Sequence, residues 1–426
     1  MTKHFTSDDL WQDRADEPSL AARHIAIVVH SLNGGGAQRR LVTLANAVAE
    51  AGRRVDFVAL RGGGDVDALL DPCVRRTVLT QRPKPRWKPW FFEGWGSLRT
   101  WLAEQRPDVV LAGVTTVHFP ALVARGSAAK GSPLLAMRAS RHPHRHFPWS
   151  RPFKRLFEPL ERWVRWRIYR AADLVMAVSR ETAQALQGRL ERPERCVEVA
   201  NPVITSTFVE SLSHEPAHDW LNDGAPVIVA AGRLAWQKRF DVLLEALATV
   251  RKHRDVRLII LGEGRLRRRL EGHVRRLGLC GAVCMPGNVR NVGTWLANSE
   301  LLVSTSAFEG SPAVLIEALA AGIPVVATRC PGGSVELLES RAGGTLIPTD
   351  DPDATALAIL DMLEAPRNRA ALKRLADRYT VEASAAAYLG FLDQAIAERR
   401  APATPKRRRA RQSDARELRR RAVQQI

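Results

Sequence analysis

A chain of 426 residues, 45% apolar and 26% charged, has the composition of a globular protein and excludes a wholly disordered or fibrous one, while its length suits two domains, each with its own core. The net charge of +19 is concentrated in two patches: residues 399–426 carry eleven basic side chains against Asp414 and Glu417, and residues 151–170 carry seven against Glu158 and Glu161. Such patches suit an anionic surface, phospholipid headgroups or nucleic acid, and composition does not choose between them.

Residues 1–23 are polar and aperiodic, an expected disordered lead-in. They lack an apolar run of signal-peptide length, and no later stretch approaches the ~18 apolar residues of a membrane span, so a cytoplasmic protein is expected. HIAIVV at 24–29 reads as a buried strand running into a glycine turn, Asn33-Gly34-Gly35-Gly36. In AQRRLVTLANAVAEAG the residues Leu41, Leu44, Ala45, Val48 and Ala49 recur at helical spacing until Gly52 ends the pattern. A second strand at 54–60 completes a parallel strand–helix–strand unit. Trp87, Trp90, Phe91, Phe92 and Trp95 then lie among prolines and basic residues in 81–96, which reads as a loop with an apolar face. Further buried strands are expected at 107–114, 132–140 and 172–179, followed by VEVANPV at 197–203.

The polar stretch 205–225 is read as a linker, after which the alternation restarts: VIVAAGRL, the amphipathic FDVLLEALATVRKH, VRLIILGEG, RLRRRLEGHVRRLG, AVCMPG and ELLVSTSAFEG. Two successive alternating halves predict an α/β protein of two doubly wound, Rossmann-like domains, 24–204 and 226–396, with a polybasic tail at 397–426. Ligands are then expected where strand carboxyl ends face each other across a cleft. The five cysteines are scattered, odd in number and without histidines at metal-ligand spacing, and read as reduced, buried thiols. Cys280 and Cys284 have no second pair, and the Asp65-Val66-Asp67 triplet sits in a glycine-rich loop, so no metal is expected.

The strongest constellation is Phe308-Glu309-Gly310-Ser311-Pro312-Ala313-Val314-Leu315-Ile316-Glu317, directly after the strand LLVSTS. Ser311 is expected to cap a helix whose first position is Pro312. Free amides at Ala313 and Val314 would then bind an anion such as a diphosphate. Glu309 precedes that helix start and Glu317 lies about one turn inside it, so the carboxylates flank the anion, one toward sugar hydroxyls and one toward ribose. A loop acid and a solvated helix acid fit the same spacing. Gly232-Arg233-Leu234-Ala235-Trp236-Gln237-Lys238-Arg239 follows the strand VIVAA, placing Arg233 and Lys238 at the same sheet edge, where two cations neutralise a leaving diphosphate as a metal otherwise would.

On AAGRLAWQKRFDVLLEAL, LIILGEG, the Glu-x7-Glu segment FEGSPAVLIEALAAGIPVVAT and GGSVELLESRAGGTLIPTDDPDA, the second half resembles the donor-binding domain of family-four retaining glycosyltransferases (glycosyl transferases group 1). The first half is similar through NGGGAQRRLVTLANAVAEAG, ADLVMAVS and ANPV, so the resemblance covers about residues 24 to 390. It implies the GT-B fold, a UDP- or GDP-linked sugar donor as substrate, no cofactor and no metal. Carried over by position, Arg233 and Lys238 would bind the diphosphate, Glu309 the transferred sugar and Glu317 the ribose. Gly34, Gly35 and Gly36 would bring backbone to the diphosphate and acceptor. The sequence departs from the family where many members put a histidine after the fourth strand: the segment here is MRASRHPH, in which Arg138, Arg141 or His142 could substitute, and His118 is a further candidate. The usual acidic residue after NPV is Ile204.

The segment RPFKRLFEPLERWVRWRIYRAADL interleaves Trp163 and Trp166 with arginines, which suits a headgroup interface or equally a helix packed on its own domain. The expected acceptor is a glycan or lipid-linked saccharide in envelope glycan synthesis, reached by an enzyme peripheral to the inner face of the cytoplasmic membrane. A nucleotide-sugar epimerase or glycogen-synthase-like enzyme is the rival of the same fold. A nucleic-acid-binding protein using the basic tail is the rival of another class, and no binding-module pattern supports it.

Overall fold

The computed structural model describes residues 22–32, 36–64, 67–80, 94–126, 131–140, 162–215, 218–339 and 342–400. Seven parallel strands make the first sheet: β1 (His24–Ser31), β2 (Arg54–Arg61), β3 (Arg75–Val78), β4 (Val109–Ala112), β5 (Leu134–Ala139), β6 (Leu174–Ala177) and β7 (Cys196–Glu198), in the order β3-β2-β1-β4-β5-β6-β7. Six make the second: β8 (Val227–Ala231), β9 (Arg257–Leu261), β10 (Val283–Gly287), β11 (Leu301–Ser304), β12 (Val325–Thr328) and β13 (Gly344–Ile347), in the order β10-β9-β8-β11-β12-β13. Each order reverses beside its first strand, between β1 and β4 and between β8 and β11. Those reversal points open the crevices where α/β sheets bind ligands.

The period-two geometry of strands explains why these runs are apolar throughout. Ile25 and Ile27 of β1 face one core, with the helix Gly36–Glu50, and Ala26 and Val28 face another, with the helices Trp95–Gln105 and Thr115–Gly126. The second sheet divides likewise: Val227 and Val229 point to one side, Ile228 and Ala230 to the other. Strand β3 escaped sequence reading because RRTV is polar. Its Arg75 is paired with Asp56, a wholly buried carboxylate on β2 that also meets His24 Nε2 at 2.5 Å. Burial pushes the Asp56 carboxyl up, but the His24 and Arg75 contacts outweigh it and leave the group below the usual carboxylate range.

The helix Val381–Arg400 corrects the expected domain boundary at 396. It follows the second sheet in sequence but packs on the first, where Tyr388, Leu389, Leu392 and Ile396 join the core of Ile25 and Phe57. Strand–helix alternation tells where helices occur, not which sheet covers an amphipathic face. The chain therefore crosses twice, side by side: the Val203 and Ile204 amides donate to the Tyr379 carbonyl at 2.9 and 3.0 Å, and the Val381 amide to the Ile204 carbonyl at 3.2 Å. The described residues of the stretch read as a linker are also folded. Thr205 caps the helix Ser206–Ser211, and Phe208, Leu212, Trp220 and Leu221 pack on the second core.

Trp95, read as part of an aromatic loop, opens the helix Trp95–Gln105; Trp87, Trp90, Phe91 and Phe92 lie outside the described residues. All five cysteines are free, and Cys196 and Cys330 are buried as expected, whereas Cys280 is exposed at the turn before β10. Among the described residues no helix is long and apolar enough to cross a membrane.

Candidate active site

The carboxyl ends of β1, β5, β8 and β11 converge on one cleft of ≈ 680 Å³ between the two sheets. Arg233, Lys238, Glu309, Gly310, Ser311, Ala313, Val314 and Glu317 all line it from the second domain, and Gly36 and Arg138 line it from the first. Gly34, Gly35, His142 and Arg141 lie outside the described residues, as do Asp65, Val66 and the side chain of Asp67.

Two loops of the second domain carry the charged groups, and they are zipped together. The Ala307 amide donates to the Gln237 carbonyl at 2.8 Å, Gln237 Nε2 to the Phe308 carbonyl at 2.8 Å, and Thr305 Oγ1 to the Lys238 and Arg239 carbonyls at 3.1 and 2.9 Å. Lys238 folds back over Gly232, where a Cβ would stand 2.5 Å from its Cε and φ is +149°, so glycine is required at the end of β8. Lys238 Nζ reaches Glu309 Oε1 at 2.6 Å, and Ser306 Oγ donates to the same oxygen at 2.7 Å. The sequence reading assigned cation and carboxylate to neighbouring parts of one ligand; the structure pairs them directly. Arg233 is exposed at the mouth, and no hydrogen bond or ion pair of its guanidinium occurs among the described residues.

The helix beyond Glu309 begins one residue later than expected, at Ala313. Pro312 has φ −78° and ψ 81° and centres an inverse γ-turn closed by the Ala313 amide on the Ser311 carbonyl at 2.9 Å. Ser311 therefore does not cap the helix, and Ala313 spends its N–H in the turn. Of the two amides expected to be free, Val314 N–H has no acceptor among the described residues and lies in the cleft wall at a helix start, where such donors suit an anion.

Glu317 meets the first domain. Arg40, on the helix Gly36–Glu50, places Nη2 2.9 Å from Glu317 Oε1 and donates through Nη1 to the Val203 carbonyl at 3.1 Å. Arg40 thus touches cleft and hinge together, a role absent from the reading of NGGGAQRRL because it depends on the facing domain. Arg138 borders the cleft but is 2% exposed, and its guanidinium is taken up internally. It donates to Tyr388 Oη at 3.1 Å, the Gly113 carbonyl at 3.2 Å and Asn201 Oδ1 at 2.5 Å. The arginine thereby ties β5, the ANPV segment and the returning helix to one another.

His118 does not reach the cleft. Its ring lies edge-on to Tyr169 at 5.5 Å inside the first domain, and Nε2 has no hydrogen-bond partner among the described residues. Burial pushes the imidazole down to about 4. A histidine depressed in the folded state leaves stability intact above its unfolded value of about 6.5 and removes it as pH falls toward 4, because only the unfolded chain takes up the proton in that window. Urea titrations from pH 7 to pH 4 are expected to show a loss of about 3 kcal/mol from this residue. In His118→Leu the same titration should be flatter by that amount, and an unchanged slope would contradict the assignment.

Residues 225–365 match the family model described as Glycosyl transferases group 1, and residues 34–207 match that of Glycosyltransferase Family 4. The chain is 25% identical over 341 residues to the Campylobacter jejuni GalNAc-alpha-(1->4)-GalNAc-alpha-(1->3)-diNAcBac-PP-undecaprenol alpha-1,4-N-acetyl-D-galactosaminyltransferase, covering 78% of this chain and 86% of that one. It is 30% identical over 210 residues to a second C. jejuni protein, N-acetylgalactosamine-N,N'-diacetylbacillosaminyl-diphospho-undecaprenol 4-alpha-N-acetylgalactosaminyltransferase, covering 49% and 56% of the two chains. Among solved structures, Anabaena HepE in complex with UDP and glucose aligns with a TM-score of 0.67 and 21% identity, covering 88% of this chain and 98% of that one. The last likeness speaks to fold.

Proposed function

The chain belongs to the group 1 glycosyltransferases of GT-B fold, and we infer that it takes its sugar from a UDP- or GDP-linked donor and passes it, with retention, to a saccharide on a lipid or envelope glycan. The observation that carries the reading is the convergence of Lys238, Arg233 and the free Val314 N–H on one wall of the cleft, with Glu309 and Glu317 to either side. A diphosphate is the ligand that such a wall fits: two cations and an amide at a helix start concentrate positive potential where a leaving phosphate develops charge.

In this mechanism the donor diphosphate draws Lys238 away from Glu309, and the freed Glu309 oxygen accepts from a hydroxyl of the sugar. Glu317 turns toward the ribose. The acceptor hydroxyl, entering from the side of Gly36 and Ser140, attacks the anomeric carbon on the face from which the phosphate departs. One carbon–oxygen bond forms as the other breaks, and the proton passes to the departing phosphate oxygen. No carboxylate nucleophile and no metal enter these steps.

An acceptor on a lipid, as named for the two C. jejuni relatives, would place the enzyme at the inner face of the cytoplasmic membrane. Residues 162–170 are helical, with Trp163 58% exposed beside Arg162, Arg167 and Arg170, which suits an anionic headgroup layer.

A thermal-shift screen of nucleotide sugars tests the donor reading. One UDP- or GDP-sugar is expected to raise Tm in the native chain and to do so less in Lys238→Ala and Glu309→Ala. Incubated with that donor and a lipid-linked saccharide, the protein should yield an α-glycoside of the acceptor from an α-linked donor and should sediment with anionic vesicles but not neutral ones. Equal stabilisation of both variants, or free sugar and epimer as the only products, contradicts transfer by this site.

A further inference from the structure

Beyond the hinge and the Arg40–Glu317 pair, the domains meet again at the start of the first-domain helix Arg180–Gln187, which is capped by Ser179. Its first two residues both reach across. The Arg180 amide donates to Glu336 Oε2 at 2.6 Å, and Glu181 Oε2 accepts from the Gly332 amide at 2.7 Å. Each domain supplies one carboxylate and one backbone N–H, so the contact is reciprocal and charge-assisted on both sides.

Gly332 stands directly behind the loop that carries Glu309. The Glu309 amide donates to the Pro331 carbonyl at 2.9 Å. At Gly332 φ is +108°, and a Cβ there would stand 1.9 Å from the Glu309 carbonyl oxygen and 2.5 Å from its carbon. Two backbones in such contact shift together. Whatever holds the Gly332 N–H therefore holds the peptide units from which the Glu309 side chain projects into the cleft.

We propose that Glu181, a first-domain residue outside the cleft, is a positioning residue for sugar transfer: by accepting the Gly332 N–H it seats the Glu309 loop when the domains come together. The grip on the transferred sugar is then completed by the same closure that brings the acceptor side to the donor. The nucleotide depends on this less, since Lys238 stands on the neighbouring loop and Val314 and Glu317 stand on the helix Ala313–Ala320, which Leu315, Ile316 and Leu319 seat on the second core. The proposal rests on the assignment of Glu309 to the transferred sugar.

Full-length Glu181→Ala and Glu181→Gln provide the test, with three readouts: steady-state kinetics, calorimetric affinity for UDP and GDP, and amide hydrogen exchange at Glu309 and Gly332. Glu181→Ala is expected to lower kcat by about 10- to 100-fold, the scale of a misplacement of about 1 Å, with donor KM and nucleotide affinity within about twofold. Exchange at Glu309 and Gly332 should quicken about tenfold. Glu181→Gln keeps an acceptor oxygen at the same reach and should recover kcat to within about threefold, which a role as bulk charge would not allow. Native exchange at both amides in Glu181→Ala overturns the proposal, as does native kcat alongside quickened exchange. If the native chain transfers no sugar, the functional reading falls, and the exchange data still decide whether Glu181 holds the loop.

Discussion

Lys238→Met is expected to lower kcat by about 10²- to 10³-fold, the cost of removing one preorganised charge from a developing oxyanion. The variant should also be less stable, for a separate reason. Lys238 and Glu309 are 17% and 10% exposed in their side chains, and among the described residues Ser306 is the one other side chain that donates to Glu309. Removing the cation leaves a largely buried carboxylate with one hydroxyl donor, a loss of about 3 kcal/mol at the lower end of the range for a broken buried pair. Glu309→Gln should lose activity by a comparable factor, because its amide accepts more weakly from a sugar hydroxyl, yet lose less stability. The double variant Lys238→Met/Glu309→Gln separates the two effects. It should regain much of the stability lost in Lys238→Met, since no buried charge is left alone, while activity stays at the level of the poorer single variant. Urea midpoints and kcat measured on all four chains form the cycle. Additive losses of stability would mean that the 2.6 Å contact is not an energetic pair, and a double variant as active as the native chain would remove both residues from the chemistry.

What could be read ahead of the structure follows from which signals are local. Strands buried on both faces, such as β1 and β8, announce themselves as apolar runs, and the groups at their carboxyl ends, Gly36 and Gly232 to Lys238, came with them. The Glu309–Glu317 segment was legible because strand end, turn and helix follow one another without interruption. β3 was not, because its stability comes from Arg75 finding Asp56 on a neighbouring strand. Pro312 looked like a first helical residue, but its ψ of 81° closes a turn instead, and no single residue type distinguishes those uses. Arg138 looked like a ligand-binding cation and is spent on Tyr388, Gly113 and Asn201, residues 250, 25 and 63 positions away. Arg40 and Glu181 were silent for the same reason. Each acts on a group in the opposite domain, and that partner is set by how two sheets dock, which no window of the chain encodes.

Docking itself yields the other large expectation. Gly310 lies where the donor loop approaches the first domain: a Cβ on it would stand 2.4 Å from the Ser140 carbonyl oxygen, closer than real Cβ contacts come. That oxygen belongs to backbone at the end of β5, and it cannot swing aside as a side chain would. Gly310→Ala should therefore be accommodated by the domains moving apart, because the hinge at Val203–Ile204 and Tyr379–Val381 is two crossing segments, whereas each sheet is packed on both faces. Neither core is touched, so Tm is expected to fall by only a few degrees. Catalysis needs donor and acceptor within bonding reach, and a displacement of about 1 Å costs about 100-fold in kcat. The affinity for UDP or GDP alone should change little, since Arg233, Lys238 and Val314, the groups proposed to hold the diphosphate, all belong to the second domain. Small-angle scattering provides the independent check: with nucleotide bound, the variant should have a larger radius of gyration than the native chain. A variant of native kcat, or one whose nucleotide affinity collapses with its activity, would show that the contact of Gly310 with Ser140 does not gate transfer.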